Sequence, residues 1–251
     1  MAGIKIGSGA VTRVYLGSTR VAGWIKPTEV SGLAGWWDAS ALGLSDGDAV
    51  ASWSDLSGNS RTLAQGTSGA RPAYRATGLN GKPAVDFDGS DDYLEVDSTS
   101  ALDLTGNFLV LAVFQLDVVT LGNGSYANTI CGKDYSRWEF AETLGKLQGR
   151  VGGIGGALES AGIVSTDRPY LAAFQKQPTN TVSLRFGNNL LLSGTNSNTN
   201  SETYKFRVGG RASGGSTLFL NGKLSELLVY SSDVANASRA ALAAYLTEKW
   251  L

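Results

Sequence analysis

The sequence predicts an all-β protein, a sandwich of many short strands that ends in one helix. Short runs of alternating apolar and polar residues recur along the chain, separated by clusters of glycine, asparagine, aspartate and serine. Alternation with a period of two is typical of half-buried strands, and such clusters are typical of turns. Glycine makes up 33 of 251 residues, roughly 13% against about 7% in average proteins. A chain of this length can bury a complete core as one such domain.

The first 27 residues predict a separate β-hairpin arm. Val11–Leu16 and Thr19–Val21 alternate as strands do, and Gly17-Ser18 between them suits a two-residue hairpin turn. So few short strands cannot bury a core on their own, and we expect the arm, residues 1–27, to lie against another surface. Pro27 marks the boundary with the domain of residues 28–251, because the residue before a proline is held extended.

Charge also separates the arm from the rest of the chain. The sequence has 21 basic and 22 acidic residues, a net charge of −1, which implies no attraction to nucleic acid or to an anionic membrane. The longest apolar run, Phe108–Phe114, is far too short to span a bilayer. Residues 1–26 carry four basic and no acidic residues. This excess of positive charge predicts a contact surface on the arm, with the docking residues Lys5, Arg13, Tyr15 and Arg20.

The strands of the sandwich are predicted between residues 83 and 230. Val85 and Phe87 point to one face and Asp86 and Asp88 to the other, which marks a half-buried strand. The predicted strands are Pro83–Asp88, Tyr93–Val96, Phe108–Gln115, Trp138–Ala141, Tyr170–Gln175, Thr181–Phe186, Tyr204–Val208, Thr217–Leu220 and Leu224–Tyr230.

One helix is predicted at the end of the chain. Asn236 is a suitable N-cap, and residues 239–250 are rich in good helix formers. Leu242, Leu246 and Lys249 lie on one stripe of this helix, with Trp250 beside it. We expect the helix to pack on an edge of the sandwich.

The composition argues against an enzyme. The sequence has no histidine, which excludes a Ser-His-Asp triad, a His-ligated zinc and an imidazole acid or base. Cys131 is the single cysteine, so we expect a small buried residue and no internal disulfide. Glycoside hydrolysis needs two carboxylates that face each other across a cleft. Glu139 and Glu142, the nearest pair, are three residues apart on a strand and should point to opposite faces. We expect no catalytic residues.

Four segments carry a family resemblance. GLAGWWDASAL (Gly32–Leu42), VASWSDLSGNSRTLAQ (Val50–Gln65) and RPAYRATGLNGKPAVDFDGSDDYLEV (Arg71–Val96) resemble the opening half of concanavalin A-like, laminin-G-like jelly-roll domains. GKLSELLVYSSDVANASRAALAAYLTEKW (Gly222–Trp250) is similar to the last core strand and terminal helix of the same family. The resemblance implies a concanavalin A-like jelly-roll sandwich, and it places Trp36, Trp37 and Trp53 in the core.

The N-terminal segment carries a second resemblance. IKIGSGAVTRVYLGSTRVAG (Ile4–Gly23) resembles a short leader of tailed-phage virion proteins. The two resemblances together imply a structural protein of a phage particle, located in the virion. In this protein the arm would dock on other virion proteins, and the lectin-like domain would contact host-surface polysaccharide. A phage appendage also implies a homo-oligomer. The alternative is a carbohydrate-binding module or an adhesin of a bacterial surface protein.

An acidic cluster occurs in the segment DFDGSDDY. Oxygen-rich loops can hold calcium, and some members of the resembled family bind it through loop carboxylates. Asp88, Asp91 and Asp92 are the candidate ligands. An EF-hand that starts at Asp86 is excluded, because its sixth position would be Asp91 where a glycine is required. We expect a turn between two strands whose aspartates bond to the local backbone, and no cofactor, with calcium binding as the alternative.

A sugar-binding surface needs exposed aromatic rings together with side chains that bond to hydroxyl groups. The candidate sugar-binding residues lie in one glycine-rich region of the sequence and are Tyr126, Asn128, Asp134, Tyr135 and Trp138. The alternative is that the aromatic residues of this set, Tyr135 and Trp138, pack in the core or at an edge, as most aromatic residues of sandwiches do.

Overall fold

A computed structural model describes residues 14–16, 19–22, 25–97, 99–119, 128–134, 138–152, 157–161, 164–197, 204–212 and 218–251. In chain order the regular elements are β1 (Val14–Leu16), β2 (Thr19–Ala22), β3 (Leu33–Asp38), β4 (Ser52–Trp53), β5 (Leu63–Ala64), β6 (Ala73–Leu79), β7 (Lys82–Asp88), β8 (Leu94–Val96), β9 (Phe108–Leu116), β10 (Asn128–Asp134), β11 (Trp138–Thr143), β12 (Lys146–Val151), β13 (Ala157–Glu159), β14 (Tyr170–Lys176), β15 (Thr181–Phe186), β16 (Asn189–Thr195), β17 (Phe206–Val208), β18 (Asn221–Tyr230) and α1 (Asn236–Trp250).

One sheet, named here the back sheet, is built around the ten-residue strand β18. Its order is β16-β15-β14-β9-β18-β7-β6, and its paired strands are antiparallel. β18 is long enough to pair with two strands along one edge. Its first half pairs with β7, from Asn221 opposite Asp88, and its second half pairs with β3, from Glu226 opposite Asp38. The segments that carry the family resemblance therefore meet at the centre of this sheet.

The second sheet, named here the front sheet, has the order β13-β12-β11-β10-β17-β8-β5-β4. The neighbours β10, β17 and β8 are far apart in the chain, so the chain crosses between the two sheets, as it does in jelly-roll sandwiches. The prediction of an all-β sandwich is confirmed.

Aromatic side chains from both sheets form the core between them. Trp37 and Trp138 both stack on Phe206, with ring centroids 5.4 and 5.7 Å away. Trp37 and Trp53 are fully buried, as predicted. Trp36 is half-buried and packs outside this core, against the cluster under the helix. Cys131 is buried, as predicted.

The helix α1 lies on the outer face of the back sheet. Leu242, Leu246 and Trp250 pack on the central strands β9, β14 and β18, through side chains such as Leu111 and Leu228. The predicted helix is confirmed, but the expectation that it packs on an edge is wrong, because the apolar face it covers lies at the middle of the sheet. Asn236 is already the first helical residue, since Ala235 is the last extended one, and among the described residues no side chain caps this end. No helix within the described ranges has the length and apolarity that a membrane span requires.

The strand predictions are confirmed for most segments. Val85 and Phe87 are buried while Asp88 is exposed. The predicted hairpin of the arm is present as β1 and β2, which form a two-stranded sheet of their own. The strand predicted at Thr217–Leu220 is not formed over the described residues 218–220. The backbone N–H of Leu220 bonds instead to the backbone oxygen of Gly209 at 2.9 Å. Phe219 there makes one isolated bridge to Gly210.

Candidate functional site

The acidic cluster lies at the turn between β7 and β8. Asp88, Asp91 and Asp92 each place one carboxylate oxygen within 4.8 Å of the others. Calcium binds oxygen at about 2.3–2.6 Å, so two ligands on opposite sides of the ion lie about 5 Å apart. The spacing of the three oxygens is therefore compatible with a shared cation. Asp86, from the same segment, pairs instead with Arg75 at 2.8 Å.

Local hydrogen bonds also hold this turn. Oδ1 of Asp88 accepts from the backbone N–H of Ser90 at 2.8 Å, and Oδ2 of Asp92 accepts from the N–H of Asp88 at 3.0 Å. Gly89 has a φ of +77°, which favours glycine at this position. These are the bonds that the expected turn predicts, and each uses one oxygen of the carboxylate concerned.

Charge accumulates at the turn as the pH rises. Asp92 is only 6% exposed, and this burial, together with the neighbouring Asp88 and Asp91 carboxylates, raises the pKa of Asp92 to about 6, although the N–H of Asp88 acts in the opposite direction. Within the described part of the chain, none of the three carboxylates has an ion-pair partner. Near neutral pH the turn is therefore a concentrated negative site that a cation would stabilise.

An aromatic surface begins directly after the acidic turn. The guanidinium carbon of Arg207 lies 3.8 Å from the ring centroid of Tyr93, which is close cation–π contact. Tyr93 also stacks on Phe219 with ring centroids 6.4 Å apart. Both rings are half-buried. We name Tyr93, Glu95, Arg207, Arg211 and Phe219 the arginine–tyrosine patch.

Strand alternation places the patch on the outer face of the front sheet. Leu94 and Phe206 are fully buried in the core, so their neighbours Glu95 and Arg207 point outward, and the register of β8 and β17 sets these two residues opposite each other. Nη2 of Arg207 bonds to Oε2 of Glu95 at 2.8 Å. Burial disfavours the charged form of Glu95, but hydrogen bonds from Lys205 and Arg207 outweigh it and lower the pKa of the carboxyl.

The patch continues onto β10 and β11 through an ion pair. Nη2 of Arg211 lies 2.7 Å from Oε2 of Glu139, and the same carboxylate accepts from the hydroxyl of Thr129 at 2.9 Å. Arg207 also donates to the backbone oxygen of Arg211 at 2.8 Å. The charged groups are thus held in fixed positions around the aromatic pair.

The sugar-binding residues predicted from the sequence do not form one surface. Trp138 is fully buried, and its Nε1 donates to the backbone oxygen of Leu102 at 2.9 Å. Asn128 is 2% exposed and donates to Glu142 at 2.7 Å. The prediction that these two side chains contact sugar does not fit their positions, because the inward face of the front sheet takes them into the interior. Asp134 ends β10, where its backbone pairs with Trp138.

The remaining predicted residues can be placed only in part. Tyr126 and Tyr135 lie outside the described residues, as do the docking residues Lys5 and Arg13. The other two docking residues, Tyr15 and Arg20, are backbone partners across the β1–β2 hairpin.

A buried charge cluster under α1 has no counterpart in the sequence predictions. Glu226 is fully buried, and its carboxylate accepts from Nε1 of Trp36 at 2.8 Å, Nε1 of Trp250 at 2.6 Å and Nζ of Lys249 at 2.6 Å. Lys249 also donates to Asp38 at 2.5 Å. Burial raises the pKa of Glu226, although the Lys249 charge opposes this. The cluster fastens the helix to the back sheet.

The sequence around Glu226 gives one indication of this buried cluster. Its neighbours Leu224, Leu227 and Leu228 are apolar and fully buried, so a carboxylate at this position of a core strand implies a buried partner. Lys249 lies on the apolar stripe of the helix, but nothing in the sequence pairs it with a residue 23 positions earlier.

No protein-family model and no curated protein matches the chain by sequence. Solved structures do match its fold. A Trypanosoma rangeli sialidase in complex with sialic acid is 12% identical with a TM-score of 0.63, and the match covers 93% of this chain and 35% of the sialidase. The chain thus spans about a third of the sialidase's length.

Two further structures match over larger shares of their own chains. The binding domain of Paraclostridial Mosquitocidal Protein 1 is 12% identical with a TM-score of 0.63, over 88% of this chain and 53% of that one. Domain 4 of a GH43 extracellular arabinanase from Geobacillus stearothermophilus, in complex with arabinotriose, is 17% identical with a TM-score of 0.60, over 86% of this chain and 100% of that one. These likenesses show the fold, a jelly-roll β-sandwich as predicted. The expected origin in a tailed phage stays a prediction.

Proposed function

We propose that the chain is a carbohydrate-binding β-sandwich without catalytic activity, and that it binds glycan at the arginine–tyrosine patch. The observation that carries the proposal is the half-buried pair Tyr93 and Phe219, set among fixed charged groups on the outer face of the front sheet. The likeness to the arabinanase domain, which matches over its whole length and whose structure holds arabinotriose, supports the same class of ligand.

The chemistry of the patch suits a sugar. An aromatic ring can pack against the C–H face of a sugar ring, and charged groups form stronger hydrogen bonds with hydroxyl groups than neutral ones do. Glu95 offers acceptors, while Arg207 and Arg211 offer donors. Because these side chains already bond to one another, little side-chain entropy remains to be lost when the ligand binds.

The two glutamates of β11 support a binding role over hydrolysis. Glu139 is tied to Arg211 and Thr129, and Glu142 accepts from Asn128 and from the N–H of Gly145 at 2.6 Å. Both are at most 1% exposed. A hydrolytic pair must instead reach the glycosidic bond from both sides of an open cleft.

The binding proposal is tested with a glycan array, followed by calorimetric titration of the glycans that bind. We expect saturable binding by the intact chain and at least tenfold weaker binding for Phe219→Ala and Tyr93→Ala. Leu192→Ala is the matched control, because Leu192 is a 38% exposed apolar residue on β16 of the other sheet. Its affinity should stay within twofold of the unmodified chain. Equal affinities for all four proteins would refute the assignment of the patch.

Calcium at the acidic turn belongs to the same proposal. The turn ends at Asp92 and the patch begins at Tyr93, so an ion there would lie beside bound sugar. Calcium should raise the melting temperature of the intact chain but not that of Asp91→Asn, and magnesium should do so less. The expected rise in melting temperature grows with the ratio of the calcium concentration to its dissociation constant, because calcium would bind only the folded state. An equal response of both proteins to calcium would contradict the site.

A second candidate function, assembly into a particle, is favoured by the separate two-stranded sheet of β1 and β2. We propose that residues 1–27 dock on another subunit, a virion protein if the chain is part of a phage. Deletion of residues 1–26 should leave the melting temperature of the sandwich unchanged and abolish incorporation into particles. Normal incorporation of the truncated chain would refute this role.

A further inference from the structure

Two arginines meet at Asn188 on the outer face of the back sheet. Nη1 of Arg185, on β15, donates to the backbone oxygen of Asn188 at 3.2 Å, and Nη1 of Arg239, on α1, donates to Oδ1 of the same residue at 3.1 Å. Neither guanidinium has an aspartate or glutamate partner among the residues that the structure describes.

Arg239 is more deeply buried than the arginines that pair with a carboxylate. Arg75, Arg207 and Arg211 are each paired with a carboxylate, although all three are more exposed than Arg239. Arg239 is only 6% exposed. Burying a charged group without a partner costs several kcal/mol, and arginine cannot avoid this cost by losing its proton.

The unused hydrogen-bonding groups point to a ligand. The Nε atoms of Arg185 and Arg239 are buried and have no hydrogen-bond partner in the described structure. Burial lowers the pKa of both guanidinium groups, and the charge of Arg185 lowers that of Arg239 further. An anion at this place would supply acceptors for both groups and offset the repulsion between them.

Neutral polar groups on the same face also lack partners. The Oγ atom of Ser183 and Oε1 of Gln175 are buried and have no hydrogen bond to any residue that the structure describes. These two residues are opposite each other on β15 and β14, and Arg185 lies two residues further along the same face. Nε2 of Gln175 donates to the backbone oxygen of Val234 at 2.9 Å, just before α1 begins. The positive end of the helix dipole favours an anion there.

A cleft begins one residue before Asn188, the residue that both arginines contact. Gly187, the neighbour of Asn188, lines a cavity of about 210 Å³ together with Arg168, Tyr170, Phe186 and Thr247. The rings of Tyr170 and Phe186 lie 4.8 Å apart. Sites for drug-sized ligands measure roughly 300–1,000 Å³, so this cleft suits one ring rather than an extended ligand.

We infer that Arg185 and Arg239 form an oxyanion site that takes the carboxylate or sulfate group of an acidic saccharide, with the sugar ring in the neighbouring cleft. Arginine binds such groups through two parallel hydrogen bonds. The Ser183 hydroxyl can donate to a further oxygen of the ligand, whereas Oε1 of Gln175 can only accept, from a hydroxyl group of the saccharide. The oxyanion site stands on these contacts alone, whereas the saccharide as its source rests on the proposed function.

The test titrates the full chain with three probes at constant ionic strength: sodium sulfate, trigalacturonate and neutral galactotriose. We expect trigalacturonate to bind more tightly than sulfate, and both to bind at least tenfold more weakly to Arg185→Gln. Arg185 is half-exposed, and circular dichroism checks that this variant folds. Arg75→Gln is the matched control, because it removes the same charge from β6 at the opposite edge of the back sheet.

The outcomes separate the two proposals. Binding of sulfate without any saccharide would support the oxyanion site and overturn the saccharide assignment. Binding of a neutral glycan at the patch, with no saturable binding of sulfate or trigalacturonate, would overturn the oxyanion site and leave the proposed function standing. An equal loss of trigalacturonate binding in Arg75→Gln and Arg185→Gln would show a general charge effect and refute the site.

Discussion

Replacing Lys249 with methionine is expected to destabilise the protein strongly, because it leaves two buried carboxylates without their positively charged partner. Nζ of Lys249 lies 2.6 Å from Glu226 and 2.5 Å from Asp38, which are 0% and 6% exposed. Methionine preserves the length of the side chain and is a good helix former. The loss therefore arises from the charge and not from packing or helix propensity.

The magnitude follows from the burial of the pair. Breaking a buried ion pair by removing one partner costs about 3–5 kcal/mol, because the remaining charge stays out of water. For a chain of this size about 1 kcal/mol shifts the melting temperature by roughly 2–4 °C. We therefore expect Lys249→Met to lower the melting temperature by roughly 6–20 °C.

The raised pKa of Glu226 also determines how the stability lost by Lys249→Met changes with pH. Burial raises the pKa of Glu226, and loss of the ammonium group raises it further. A group whose pKa is raised on folding stabilises the folded state at low pH and loses this contribution as the pH rises. The deficit of Lys249→Met should be small at pH 4 and largest at pH 8.

Urea unfolding of four proteins tests this reasoning: the intact chain, Lys249→Met, Glu226→Gln and the double variant. In the double variant the glutamine has one acceptor oxygen, so it keeps the bond from one of the two indoles, Trp36 or Trp250, and one unpaired buried charge is gone. It should recover more than half of the stability lost by Lys249→Met alone. A loss below about 1 kcal/mol for Lys249→Met, as exposed ion pairs show, or no recovery in the double variant, would refute the account.

Three further predictions concern the turn, the core and one glycine. Because burial raises the pKa of Asp92 to about 6, the intact chain should lose about 1–2 kcal/mol of stability between pH 4 and pH 7, a range that allows for solvent screening. Urea titrations should show no such loss for Asp92→Asn. Trp138→Phe should lower the free energy of unfolding by about 1–3 kcal/mol and leave the calorimetric glycan affinity unchanged. A loss of affinity without a loss of stability would instead show that the indole contacts the glycan. Gly209→Ala should lower the melting temperature more than Gly43→Ala, because both have positive φ but only at Gly209 does a Cβ meet Phe87, at 2.2 Å. Equal losses would mean that φ strain alone matters.

Local patterns in the sequence predict most of the fold. The alternation of Thr181–Phe186 and the apolar run that begins at Phe108 give strands at the expected places. The sequence predicts the pairing of these strands less directly. In the sheet β9 lies between β14 and β18, which begin 54 and 105 residues after β9 ends. Such partners are chosen by the packing of the whole core, which no short segment contains.

The candidate site shows the same division between local and distant information. The acidic turn lies within five residues, so the sequence reveals it. The arginine–tyrosine patch combines Tyr93 and Glu95 with Arg207, Arg211 and Phe219, more than 100 residues later, and only the register of β8 and β17 brings them together. Conversely, Asn128 and Trp138 are near in sequence, but both side chains point inward.

Hydrogen–deuterium exchange of the full chain, with and without a neutral oligosaccharide that binds on the array, tests the central claim most directly. Binding at the arginine–tyrosine patch predicts slower exchange in residues 88–96, 205–211 and 218–221, and unchanged exchange in β14, β15 and β16 of the back sheet. Protection confined to the back sheet, or the absence of any oligosaccharide that binds, would contradict the account.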